Sequence, residues 1–151
     1  MSKFREAKSD PKVLVEYLEE CEAAYDRGKG KLFVQGKLEE EAAQHAGWIG
    51  RYDEMRAELE ALKKYYEGKS RAKRGELYRK YLENYARSLQ KQDIEQFINA
   101  DPDWQKTDEV LQEISLVHDK MESLVKSLQA KGWNIGHVVK LRVQGLEDSL
   151  V

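Results

Sequence analysis

TDEVLQEISLVHDKMESLVKSLQA, residues 107–130, carries Val110, Ile114, Val117, Met121, Leu124 and Leu128 at steps of 4, 3, 4, 3 and 4. An apolar residue at every third or fourth place returns to the same side of an α-helix. Leu111, His118 and Val125 widen this stripe on one flank. A widened seam is what a helix needs when it touches more than one helical neighbour. Lys131-Gly132 resembles a helix end, with a basic last turn and a C′ glycine. A further short helix is expected over 133–146. Its crowd of Trp133, Ile135, Val138, Val139, Leu141 and Val143 predicts burial, within the monomer or between subunits.

Working outward, the same period recurs. Leu38, Ala42, His45, Ile49 and Tyr52 form one stripe, and Met55, Leu59, Leu62 and Tyr66 continue it after a skip. The expected helix is 37–67, ended by Gly68. Asp10-Pro11 is a helix-start signature. It is followed by Val13, Leu14, Tyr17, Leu18, Cys21, Ala24 and Tyr25 on one broad face. GKSRAKRG, 68–75, is bracketed by glycines and reads as a mobile loop. A helix is then expected from Glu76 to Ile98, with Tyr78, Leu82, Tyr85 and Leu89 on its stripe. ADPD, 100–103, reads as a turn. The pattern predicts an all-α fold, an elongated helical bundle of hairpins. The expected division is an N-terminal helical region, 1–75, and a C-terminal oligomerisation region, 76–151.

The chain has 151 residues, of which 40% are hydrophobic and 36% charged. That is a lean core, and self-association is a natural way to complete it. Cys21 is the single cysteine, which argues for a reducing compartment. MSKFREAKSD lacks the apolar stretch of a secretory signal. No run of eighteen apolar residues occurs, so no membrane span is expected. The expected location is cytoplasmic.

Charge is segregated. From Lys63 to Lys91 there are ten basic and three acidic residues, a balance of +7 in a chain whose net charge is −2. Lys63, Lys64, Lys69, Arg71, Lys73, Arg74, Arg79 and Lys80 are the candidates to neutralise phosphates. Tyr65, Tyr66 and Tyr81 are the candidates to stack on bases. Cations that track a backbone, interleaved with aromatics, are the components of a single-strand nucleic-acid site. The ordinary reading is a solvated charged face over core tyrosines. It fits Tyr78 and Tyr85 well, and fits Tyr65, Tyr66 and Tyr81 less well. Neighbours on a helix point about 100° apart and cannot share one seam. An acidic protein partner or an anionic membrane would also suit a basic patch.

No phosphate loop, nucleophile elbow or paired-carboxylate motif occurs. The histidines at 45, 118 and 137 are read as lacking carboxylates at metal-ligand spacing. No cofactor, metal site or catalytic residue is expected. One rival is a coiled-coil adaptor whose basic loop docks an acidic protein. Another is a small enzyme acting on nucleotides or nucleic acid.

Several patches, in order, resemble the UvsY family of T4-type phage recombination mediators. KLFVQGKLEEEAAQHAGWI at 31–49 is similar to that family's early helix. Tyr65-Tyr66-Glu67-Gly68-Lys69 is similar to its Tyr-Tyr-x-Gly-basic turn, and Asn99-Ala100-Asp101 to its Ser-Ala-Asp element. SLQAKGWNIGHVVKLRVQGLED at 127–148 is similar to its C-terminal element. Where the family has Lys-Ala-Arg-Leu, this chain has Glu60, Ala61, Leu62 and Lys63. The resemblance implies a non-enzymatic mediator that binds single-stranded DNA. It implies a ring-like homo-oligomer that helps a RecA-like recombinase replace the single-strand-binding protein. It further implies assembly through the C-terminal helices, for which Val110, Ile114, Val117, Met121, Leu124, Leu128, Trp133, Ile135, Val138 and Val139 are the candidates.

Overall fold

The computed structural model describes residues 2–34, 36–84 and 90–149, with side chains to residue 145. Described elements are helical throughout: α1 (Lys3–Glu6), α2 (Pro11–Lys29), a 3-10 turn (Gly30–Leu32), α3 (Leu38–Asn84), α4 (Lys91–Ala100) and α5 (Pro102–Ser149). α3 and α5 are antiparallel. His45 near the start of α3 meets the Leu128 carbonyl late in α5, and Arg74 late in α3 lies over Trp104 at the start of α5. α2 completes a three-helix bundle, running antiparallel to α3. Ala7 meets Tyr66, Tyr17 meets Glu58, and Gly28 meets Tyr52. At about 1.5 Å per residue, α5 extends about 72 Å.

Local signals explain the starts of α2 and α5. The Asp10 carboxylate accepts a hydrogen bond from the Lys12 amide at 3.0 Å, with Pro11 in the first turn. Asp101 repeats the device before Pro102, accepting from the amides of Asp103 at 2.9 Å and Trp104 at 3.1 Å. Gly36, at φ +86°, takes the left-handed turn that leads into α3.

The helical stripes form one core. Leu14, Tyr17, Leu18, Cys21 and Ala24 of α2 pack with Tyr52, Leu59 and Leu62 of α3 and with Ile114, Val117, Met121, Leu124, Val125 and Leu128 of α5. The two neighbours implied by the widened α5 stripe are therefore α2 and α3. Burial raises the Cys21 thiol to about 11, so it stays protonated and packs as a small hydrophobe. Gly28 is required by a close approach. A Cβ there would lie 2.5 Å from Leu124 Cδ2 and 3.1 Å from the Tyr52 ring. A second, smaller cluster joins α4 to the far end of α3: Leu77, Ile94 and Ile98, flanked by Tyr78, Tyr81 and Trp104.

Several sequence expectations need correction. GKSRAKRG is not a loop, because α3 runs unbroken through Gly68 and Gly75 and past residue 75. Each glycine costs a helix only about 1 kcal/mol, and Ala72, Arg71, Lys73 and Arg74 are good helix formers. Tyr66 and Leu77, anchored on either side, hold the span in register. Neither glycine has a positive φ or a neighbour within 4 Å of an added Cβ. Gly68→Ala and Gly75→Ala are thus expected to raise stability by about 0.4–1 kcal/mol each, seen as a higher Tm. A loss would indicate a looped backbone.

Lys131-Gly132 does not end a helix either, since α5 continues to Ser149. The pair is a packing device. An added Cβ on Gly132 would lie 3.0 Å from His45 Nε2. The Lys131 ammonium turns inward to Glu41 at 2.7 Å and to the carbonyls of Lys31 at 2.6 Å and Phe33 at 3.3 Å. It thereby ties the α2–α3 connection to α5. Of the two expectations for the apolar end of α5, burial within the monomer is not met. Ile135 is buried, but Trp133 is 83% exposed, and Val138, Val139, Leu141 and Val143 are exposed as well. The helix expected from Glu76 to Ile98 is not one element: residues 76–84 complete α3, an extended Gln90 precedes the separate α4, and Tyr85 and Leu89 lie outside the described residues. The turn expected at 100–103 is reduced to Asp101, with Ala100 ending α4 and Pro102 opening α5. Among the described residues no helix is long and apolar enough to cross a membrane.

Candidate nucleic-acid interface

α3 separates its charge along one continuous rod. Residues 38–62 hold seven acidic and two basic residues, and residues 63–84 hold eight basic and three acidic. The balance thus changes from −5 to +5 at Lys63. The basic half from Lys63 to Lys80 spans about 26 Å of helix. A rod presents these charges in a fixed array.

The eight cations do not share one environment. Lys64, Lys69, Arg71, Arg79 and Lys80 are exposed, whereas Lys63, Lys73 and Arg74 are partly buried. Lys64 lies 3.9 Å from Glu60 and Lys73 lies 3.9 Å from Glu76, both loose pairs. Arg71 and Arg79 have no carboxylate partner among the described residues. Arg74 is committed to structure: its guanidinium stacks 5.3 Å from the Trp104 ring and donates to Asn99 Oδ1 at 3.1 Å. The field of the rod is therefore carried by Lys69, Arg71, Arg79 and Lys80, with Lys63 and Lys64 at one end. At about 100° per residue Lys69 and Lys80 share one flank, Arg71 lies on the opposite flank and Arg79 between them.

The tyrosines also divide. The Tyr66 hydroxyl donates to the Ala7 carbonyl at 3.0 Å, and burial raises its pKa, so it stays a donor. Its ring is thus part of the bundle wall. Tyr65 stands edge-on to it, with centroids 5.3 Å apart. Lys69 lies 5.0 Å from the Tyr65 ring and Lys8 lies 5.5 Å from it. Tyr81 stacks on Phe97 of α4 at 5.5 Å and 24°. These three rings are partly covered, leaving a base an edge or one face of each.

The candidates for assembly fall into two sets. Ile114, Val117, Met121, Leu124 and Leu128 are buried in the core of one chain, and Val110 is partly buried against it. Ile135 is buried too, while Trp133, Val138 and Val139 face outward.

The histidine reading requires correction. His118 Nδ1 is 3.0 Å from Asp119 Oδ1, and one ligand atom each from His118, Asp119 and Glu122 lies within 4.8 Å of the others. Asp119 is exposed, and such surface groupings are common without a metal. His45 is a packed histidine, its Nε2 2.7 Å from the Leu128 carbonyl.

Sequence reasoning missed Lys8, Lys106 and the inward turn of Lys131. Lys8 and Lys106 lie far from the basic run in sequence and reach it only through the bundle. Nothing in the linear pattern marks them.

Searches of curated proteins and of solved structures return no match. A family model described as "recombination, repair and ssDNA binding protein UvsY" matches residues 34–144, well over half of the chain and all of the basic rod. The chain therefore belongs to the UvsY family.

Proposed function

We propose that this protein is a non-enzymatic recombination mediator. It binds single-stranded DNA along the basic half of α3 and helps a RecA-like recombinase replace single-strand-binding protein. The supporting observation is the exposed array of Lys69, Arg71, Arg79 and Lys80, within the residues that match the family. Cations spread over the outward side of a helix can neutralise phosphates of a flexible strand that crosses it, without reading sequence. The acidic half of the same helix repels phosphate and confines the strand to one end.

Assembly into a ring-like homo-oligomer uses the outward face of α5 after residue 132. Trp133, Val138, Val139, Leu141 and Val143 are large apolar groups left in water by the monomer. A patch of this kind marks an association surface. A closed ring would array many basic rods, so weak sites would act multivalently. Mediation takes place in the cytoplasm of the host cell.

The test is the ATPase of a RecA-like recombinase on single-stranded DNA precoated with single-strand-binding protein. Adding this protein is expected to shorten the lag before steady turnover. An unchanged lag, with DNA binding intact, would overturn the loading role.

A further inference from the structure

Beside the basic rod lies a cavity of about 470 Å³, walled by the α1–α2 corner, α3 and α5. Its rim carries Lys8, Lys69, Lys73 and Lys106 against one carboxylate, Glu76, which Lys73 already faces at 3.9 Å. Its wall is apolar, from Leu14, Tyr66 and Val110. The volume is within the range of small-ligand sites, about 300–1,000 Å³. Four ammonium groups around an apolar wall suit a ligand with a flat apolar body and anionic ends. A nucleotide within a strand has that chemistry.

We propose that this cavity receives one nucleotide of the bound single strand. Its base lies against the Tyr66 wall, and its flanking phosphates reach the rim lysines. This inference rests on the single-strand reading of α3 and extends it to two cations from other elements, Lys8 and Lys106. Three observations support it. Lys69 and Lys73 belong to both the rod and the rim, so the cavity continues the basic surface. The Tyr66 ring is held in place by its hydroxyl bond to Ala7, which gives the base a fixed wall. Lys8 is held at the rim over the Phe4 ring at 5.0 Å and the Tyr65 ring at 5.5 Å. The N-terminal corner, with Lys8, lies outside residues 34–144 that match the family model.

The experiment measures fluorescence anisotropy of labelled oligo-dT with the full chain, comparing Lys8→Ala, Lys106→Ala and the double variant with the wild type. Lys126→Ala serves as control, since Lys126 is an exposed lysine elsewhere on α5, 3.8 Å from Glu122. Circular dichroism confirms that each variant is folded. Each cavity lysine removed is expected to lower the slope of log affinity against log salt by about 0.7. Between about 50 and 200 mM salt, the wild-type fall in affinity would shrink about 2.6-fold for each phosphate no longer neutralised. A strand of abasic sugar-phosphates with the same charge is expected to bind the wild type at least about fivefold more weakly than oligo-dT.

If the wild type binds oligo-dT but the cavity variants keep its affinity and slope, the strand bypasses the cavity and the inference fails alone. Equal affinity for the abasic strand overturns the placement of the base. No binding by the wild type removes the single-strand reading and the inference together. Binding of a poly-glutamate peptide that depends on Lys8 and Lys106, without binding of oligo-dT, would assign the cavity to an acidic peptide instead.

Discussion

Leu124→Asp is expected to unfold the protein. Leu124 is 2% exposed, and its Cδ2 fills the space that Gly28 leaves open between α2 and α5. Truncating a buried leucine alone costs about 2–5 kcal/mol. A carboxylate in its place would be desolvated without a partner, adding several kcal/mol. The total rivals the whole stability of an ordinary domain, about 5–15 kcal/mol. Circular dichroism should show most helical signal lost, with no cooperative thermal transition. This differs from what an intersubunit seam implies, which is a folded chain that dissociates. Val139→Asp provides the contrast. Val139 is 41% exposed, so its variant should remain folded and lose self-association by light scattering. A folded, monomeric Leu124→Asp would contradict the assignment of the seam to the interior of one chain.

The second large effect concerns DNA. The triple variant Arg71→Ala, Arg79→Ala, Lys80→Ala is expected to lose about 100-fold in affinity for single strands at about 0.1 M salt. The effects add, since each neutralised phosphate contributes about 0.7 to the log–log salt slope. Three phosphates left without a cation therefore lower the slope by about 2. All three side chains are exposed and form no ion pair among the described residues, so their loss should leave the bundle intact. Arg74 is a poor probe by the same standard. Removing it exposes Trp104 and frees Asn99, so a weakened variant there would confound packing with binding. An undiminished affinity in the triple variant, with the fold intact, would move the site off α3.

Most of the architecture is legible in the sequence because hydrophobic period dominates a three-helix bundle. The α2 face and the α5 stripe can be read nearly residue by residue, and the caps at Asp10 and Asp101 are local chemistry. The misread helix breaks share a cause. Gly68, Gly75 and Gly132 are punctuation in a linear reading, yet long packed helices absorb an isolated glycine at about 1 kcal/mol. At Gly132 an added Cβ would press on His45 of another helix at 3.0 Å, so the glycine serves a close approach. Nothing near Gly132 in sequence could reveal that. The site is legible as a charge asymmetry but not as a shape. Sequence places the cations together without distinguishing Arg74, held by Trp104, from Arg71, which has no such aromatic partner among the described residues. The apolar end of α5 reads as buried within the monomer or between subunits, because hydropathy cannot tell a core from an outward-facing patch.

The central claim is that the basic half of α3 binds single-stranded nucleic acid through its phosphates. Its most direct test is fluorescence anisotropy of the wild-type protein with labelled oligo-dT and with a duplex of equal length, at about 50 and 200 mM salt. Preferential binding of the single strand, falling steeply with salt, is the expected result. No binding of the single strand at the lower salt would contradict the account.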